Sequence, residues 1–233
     1  MLSAWARGFA ARLPSRCEVC RSWPSRPVCP ACVARFAQTG PRCRRCALAV
    51  PAGVAECGAC LREPPPLDAC HAALDYAYPW AELITRFKFH GEPGWAGPLA
   101  ERMRQCAPLM AALACAELVL PLPLSRVRLS ERGFNQALEL ARRLAPRTVD
   151  ARLLLRTRET APQAALDRAQ RLRNVDNAFA VEPLRAAQLA GRAVVLVDDV
   201  MTSGASLHAA ARALRQAGAR QVTAVVLART PDS

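Results

Sequence analysis

Eight of the chain's 11 cysteines form four Cys-x-x-Cys pairs: Cys17/Cys20, Cys29/Cys32, Cys43/Cys46 and Cys57/Cys60. All four fall within 44 residues, separated by 8, 10 and 10 residues. A two-residue spacing lets a tight turn aim both sulfurs at one tetrahedral ion, and two such knuckles complete a four-cysteine site. Eight thiolates therefore suit two closed structural zinc sites, with no coordination position left for catalysis. A disulfide framework and a redox dithiol are the competing uses. An expected cytoplasmic location argues against the first, and four pairs in so short a stretch argue against the second. Two pairings remain open. The sequential one (first with second, third with fourth) is favoured here over a cross-braced one. A segment this small and proline-rich buries little core, so metal binding supplies its folding energy, about 10–16 kcal/mol for isolated fingers. Cys70, Cys106 and Cys115 lie outside the pattern and read as small core residues.

No segment suggests a membrane span. The longest charge-free apolar stretch, 107–116, ends at Glu117 and contains Pro108, far short of the ~20 residues that cross a bilayer. Arg7 and Arg12 interrupt the N-terminal apolar run, so no signal peptide is expected. Leu2, Trp5, Phe9 and Leu13 recur at helical spacing and predict a short docked helix. Pro64-Pro65-Pro66 stiffens a linker and divides the chain into a zinc-ribbon module, residues 1–66, and a second domain, residues 67–233.

Beyond that linker the pattern becomes strands alternating with helices. Strands are expected at 72–78, 118–122, 178–181, 193–197 and 222–228. Helices are expected at 81–89, 97–114, 134–144 and 206–217. This alternation predicts an α/β fold with a mainly parallel sheet flanked by helices on both faces. Ligands of such sheets bind at the carboxyl ends of the strands, here just after Val197 and Leu122.

The segment VVLVDDVMTSGAS, residues 194–206, carries the chemistry. A buried apolar strand is expected to end at Asp198-Asp199, and Thr202-Ser203-Gly204-Ala205-Ser206 opens a helix. Hydroxyls, a glycine and free N–H groups at a helix N-terminus suit a phosphate monoester. Gly204 lets the backbone approach the oxygens without a Cβ in the way. Ionised carboxylates only accept hydrogen bonds, so two of them beside a phosphate call for adjacent hydroxyls such as those of a ribose. Helix capping accounts for one such residue but not for two acids and three hydroxyls.

This segment resembles the 13-residue 5-phosphoribosyl-1-diphosphate (PRPP) signature of type I phosphoribosyltransferases. The four knuckles, RFKFHGE (86–92), PLPLSRVRLSERGFNQA (121–137) and TAPQAALDRAQRLRNVDNAF (160–179) are similar to the ComF (competence protein F) family. The resemblance implies that Asp198 and Asp199 hold the ribose hydroxyls and that Thr202, Ser203, Gly204, Ala205 and Ser206 cradle the 5′-phosphate. It implies that Leu122, Pro123, Leu124 and Ser125 form the pyrophosphate loop, where a cis peptide at Pro123 is one option. Arg126, Arg128 and Arg132 follow and offset pyrophosphate charge. Thr160–Asn174 matches a hood over the substrate, with Arg171 as a phosphate contact. Lys88 is the one lysine in a chain with 31 arginines, which suggests that a compact point charge matters there.

The resemblance implies Mg²⁺-dependent displacement of pyrophosphate from C1 of PRPP, with the acceptor open and a link to DNA uptake in natural transformation. Glutamine-dependent transfer is not expected, because residue 2 is Leu and the N-terminal cysteines are committed to metal. The alternative is a non-catalytic competence factor that binds single-stranded DNA, or DNA-uptake and recombination proteins, and uses the site as a PRPP or 5′-phosphate sensor. The net charge is +13, and residues 123–175 alone hold 12 arginines against five acids. That concentration points to a polyanionic ligand near the site more than to a general nucleic-acid coat. Aromatics suited to base stacking are sparse, at 5% of residues.

Overall fold

The two longest strands, Ala193–Met201 and Gln221–Arg229, lie side by side at the centre of a parallel sheet. The structure is a computed structural model that describes residues 15–38, 40–157 and 178–231. The expected helix over Leu2–Leu13 and the hood segment Thr160–Asn174, with Arg171, lie outside the described residues. By contacts the chain divides into two compact units, Met1–Gln38 and Thr39–Ser233.

The first unit holds Cys17, Cys20, Cys29 and Cys32 and one helix, α1 (Pro30–Phe36). Cys29 caps α1, its sulfur accepting from the Cys32 N–H at 3.4 Å, and Pro30 needs no donor at the first helical position. Val19, Val28 and Phe36 pack on the buried cysteines.

The second unit begins with the other two knuckles and α2 (Gly58–Arg62). It continues through β1 (Ala69–Asp75), α3 (Trp80–Phe89), a 3₁₀ turn at Pro93–Trp95, α4 (Ala96–Arg104), α5 (Ala107–Ala114) and β2 (Leu118–Pro121). Next come α6 (Arg126–Arg132), α7 (Gln136–Leu144), β3 (Leu154–Arg156), β4 (Phe179–Val181) and a 3₁₀ segment at Pro183–Leu189. The last elements are β5 (Ala193–Met201), α8 (Ala205–Gln216) and β6 (Gln221–Arg229). Among the described residues, β1, β6, β5 and β2 form one parallel sheet in that order. The inner strands carry near-continuous Val, Leu and Ala because helices cover them.

Besides the break of the expected 97–114 helix into α4 and α5 and the reach of β5 to Met201, three features differ from the sequence expectation. The strand expected at 178–181 is β4, which pairs antiparallel with β3 away from the main sheet. α6 was not expected; Ser125 starts it by accepting from the Arg128 N–H at 3.3 Å, and Gly133, at φ +75°, ends it. Lastly, the contact boundary falls at 38/39, whereas composition changes after the triproline. The second pair of knuckles is fastened to the sheet edge: Cys70 N–H donates to the Arg44 carbonyl at 2.8 Å, and Arg45 Nη1 donates to the Leu67 carbonyl at 2.9 Å. Cys43, Cys46, Cys57 and Cys60 belong to the same apolar core as Leu120, Leu196 and Val226. Of the three unpaired cysteines, Cys70 is buried as expected, Cys106 is only partly buried, and Cys115 is exposed at the end of α5.

Candidate functional site

Strand β5 does not stop at the acids. It carries Asp198 and Asp199 within its pairing to β6, with Asp198 opposite Val226, and ends at Met201. Thr202 and Ser203 then turn the chain, and Gly204 opens α8 at φ +80°. A Cβ at Gly204 would sit 2.5 Å from Met201 Cε and 2.7 Å from His208 Nε2. The left-handed backbone favours glycine, and a side chain there would also displace the ends of Met201 and His208. Leu122–Pro123–Leu124 follows β2 on the neighbouring strand, and Leu122 N–H donates to the Val197 carbonyl at 2.9 Å. The Leu122–Pro123 peptide is trans.

These two turns face one cavity of about 240 Å³. It is lined by Asp198, Asp199 and Thr202 to Ser206 from β5 and α8, by Leu122, Pro123 and Leu124, by Lys88 from α3, and by Arg128 and Arg132 from α6. Arg126 is exposed and does not line it. Apart from Ser125 and Arg126, the expected non-metal site residues within the described residues line this one cavity, although they come from segments over 100 positions apart.

Charge within the cavity is paired. Lys88 Nζ stands 3.0 Å from Asp199 Oδ1, with both side chains largely buried. Burial, and next the charge of Asp199, push the Asp198 carboxyl up to about 7, while Lys88 and Arg132 oppose that rise. Burial also lowers Arg132 from the usual arginine value, against the pull of the two aspartates. Arg132 lies 4.8 Å over the Phe89 ring and donates to Gln136 Oε1 at 3.1 Å.

Several lining residues escaped the sequence reading. Asn135 caps α7 and donates through Nδ2 to the Leu122 carbonyl at 3.0 Å, tying the loop after β2 to that helix. Gln136 is 1% exposed, and its Nε2 has no hydrogen-bond partner among the described residues. Such a buried donor is costly unless a ligand or water meets it. Both belong to the RGFNQ block, so the signal was present as a motif without an assigned role. Tyr76 and Arg156 also line the cavity. Arg156 is held 5.3 Å over Phe179, across the β3–β4 pair, and only the fold brings it here.

The cysteines gather sequentially, as favoured: Cys17, Cys20, Cys29 and Cys32 in one cluster, and Cys43, Cys46, Cys57 and Cys60 in the other. Sulfur–sulfur separations of 3.9 Å for Cys17–Cys32, 3.6 Å for Cys20–Cys29 and 3.7 Å for Cys46–Cys57 are far too long for disulfides. They match the edge of a tetrahedron with Zn–S bonds of about 2.3 Å, which is roughly 3.8 Å. Backbone N–H groups of Cys29 and Cys57 point at Cys17 and Cys43 sulfurs at 3.3 Å, as thiolate ligands require. The residues fit a tetrahedral metal ion in both clusters.

The parallel sheet, the Asp198-Asp199 strand and the glycine-capped loop define a phosphoribosyltransferase-type domain. A family model described as "Phosphoribosyl transferase domain" matches residues 129–233. DNA utilization protein YhgH of Escherichia coli is 34% identical over 94% of this chain and 98% of its own length. The same-named protein of Salmonella typhimurium is 31% identical over 94% and 98%. Competence protein F of Haemophilus influenzae is 31% identical over 81% of this chain and 85% of that protein. The chain belongs to the ComF family. Among the described residues no helix is long and apolar enough to cross a membrane.

Proposed function

We propose that this chain binds PRPP with Mg²⁺ in the cavity around Gly204, displaces pyrophosphate from C1 onto an acceptor, and serves DNA uptake. The observation that carries the reading is the Lys88–Asp199 pair at 3.0 Å inside a cavity walled by the Thr202–Ser206 loop. Two carboxylates beside a phosphate cradle would repel the ligand; with Lys88 and Arg132 at hand, their charge is offset. The loop's hydroxyls and N–H groups receive the 5′-phosphate. Asp198 and Asp199 accept from the ribose hydroxyls. Lys88, Arg128, Arg132 and the unpartnered Gln136 Nε2 face the pyrophosphate.

In the transfer, the bond from C1 to the pyrophosphate oxygen breaks and its electron pair leaves with pyrophosphate, while an acceptor lone pair forms the new bond at C1. Magnesium, when bound, would offset the negative charge of the pyrophosphate and make it a better leaving group. The chain's own contribution is positioning and charge stabilisation. Both cysteine clusters hold structural zinc in this reading, without a part in the transfer.

Calorimetry with PRPP and Mg²⁺ tests the site. Binding to wild type and its loss in Asp198→Ala/Asp199→Ala is expected; no heat with wild type sinks the reading. Pyrophosphate release across free-amine and nucleobase acceptors then tests turnover.

The names of two relatives, DNA utilization protein and Competence protein F, favour a second reading. In it the chain is a non-catalytic single-stranded-DNA binder that uses the cavity to sense PRPP or a 5′-phosphate. PRPP binding without turnover on any acceptor would select it, together with DNA affinity that falls steeply with salt. Undetectable DNA binding at low salt would remove it.

A further inference from the structure

The loop that begins after Met201 has a second hollow beside it. A cavity of about 350 Å³ is lined by Met201 and Ser203 together with Cys46 and Cys60 of the second cysteine cluster. Close packing therefore does not fix the loop against the cluster there. One buried side chain among the described residues bonds to both. Arg229, at the end of β6 and 5% exposed, donates from Nε to the Cys46 carbonyl at 3.0 Å and from Nη1 to the Met201 carbonyl at 3.2 Å. Nη1 also reaches the Thr230 carbonyl at 2.5 Å. The Met201 carbonyl is a crowded acceptor, taking the Thr230 N–H at 3.1 Å and its hydroxyl at 3.2 Å as well. The Cys70 thiol meets Met201 Sδ at 3.5 Å. Met201 is thus pinned at the point where strand becomes loop.

We infer that Arg229 is a positioning residue that couples the second cysteine cluster to the loop at Thr202–Ser206; the inference rests on the reading that this loop holds the 5′-phosphate. A planar guanidinium with donors on different edges spans two carbonyls at once, which a lysine's single ammonium does not do in one geometry. The charge also fits. Four thiolates around a divalent ion carry −2, and Arg229, Arg62 and Arg212 line the same cavity with Glu63. Their charges balance the loaded cluster, so the hollow is no anion site of its own. Loss of metal would release the Cys46 turn, and Arg229 passes that change to Met201 and so to the loop's N–H groups.

The test is hydrogen exchange on the full chain without ligand, read at the amides of residues 202–206, with zinc content measured alongside. Arg229→Lys is expected to keep both metals and to exchange about tenfold faster at these amides, while those of β5 and β6 stay as in wild type. Unchanged loop exchange in a metal-replete variant would overturn the coupling. If Arg229→Lys does not fold, Cys60→Ser decides, because it leaves Arg229 in place and weakens the second cluster. A rise at the loop that exceeds any rise in β5 and β6 supports the coupling; an unchanged loop, or one that rises no more than the sheet does, overturns it. Wild-type calorimetry with PRPP and Mg²⁺ separates the two ideas. No binding there defeats the 5′-phosphate reading, whereas the exchange result still decides whether Arg229 links cluster and loop.

Discussion

The two cysteine clusters share a ligand set and nearly a spacing, yet their surroundings differ. Among the described residues, those that pack around Cys17, Cys29 and Cys32 are Val19, Val28 and Phe36, and Cys20 is exposed. Around Cys43, Cys46, Cys57 and Cys60 it is the core of the α/β domain itself, joined through Leu67 and Cys70 to β1 and through Arg229 to β6. The same knuckle chemistry thus has two uses. With zinc bound as proposed, the first cluster would stand in for a core, and the second would clamp a short irregular segment onto a sheet that folds by burying Val, Leu and Ala.

Metal removal breaks this comparison most directly. Cys17→Ser should unfold the first unit, whose stability is the zinc-binding energy of about 10 kcal/mol, and leave the melting of the second unit unchanged. Two-dimensional NMR of the two variants checks this. A fall in the second unit's stability with Cys17→Ser would end the distinction. Cys60→Ser should cost the second unit about 3–5 kcal/mol in urea unfolding without abolishing its sheet. Lys88→Ala should cost about 3 kcal/mol, because it leaves Asp199 largely buried without its ion-pair partner, and it should weaken PRPP binding as well. Lys88→Arg restores charge but not the compact head, so it should recover stability more fully than affinity.

Smaller effects sharpen the picture at the loop. Gly204→Ala should cost about 1–2 kcal/mol for its positive φ, plus the shift of Met201 and His208, and should reduce PRPP affinity more than it reduces stability. The smallest change concerns pH. The Asp198 carboxyl is raised to about 7 from its ordinary value of 3.8, chiefly by burial. Between those values the folded state holds a proton that the unfolded state lacks, so wild-type stability falls as pH rises from about 4 to about 7. Asp198→Asn removes that dependence. Relative to wild type, its stability should gain on the order of 1–3 kcal/mol between pH 4 and pH 8. Urea unfolding at the two pH values checks the sign, and a gain at low pH instead would show that Asp198 is ionised throughout.

How far the sequence reached can be judged from particular residues. Cysteine spacing gave the four knuckles, because two residues between ligands leave one turn geometry, but it left the sequential and cross-braced pairings open, and only the fold brings the knuckles together sequentially. The order apolar strand, two acids, two apolar residues, hydroxyls and glycine located the turn at 198–206, because a helix N-terminus with Gly204 admits few other uses. The lone lysine singled out Lys88, although its partner Asp199 was invisible at a separation of 111 positions. Asp198 and Asp199 were expected to end β5. Their pairing with β6 continues past them, because hydrogen bonding to a neighbouring strand outlasts the apolar pattern. The segment at 178–181 has strand composition, but composition does not say which strand it joins.

The opening feature, four knuckles in 44 residues, fixed by itself that this chain carries two four-cysteine centres, since ligand spacing is a local property of the backbone. Which centre stands apart and which belongs to the α/β core was decided by tertiary structure alone. That choice depends on Arg44, Arg45 and Arg229 meeting carbonyls and N–H groups far away in the chain. Local spacing can dictate a coordination shell; only the folded sheet supplies the edge against which such a shell is held.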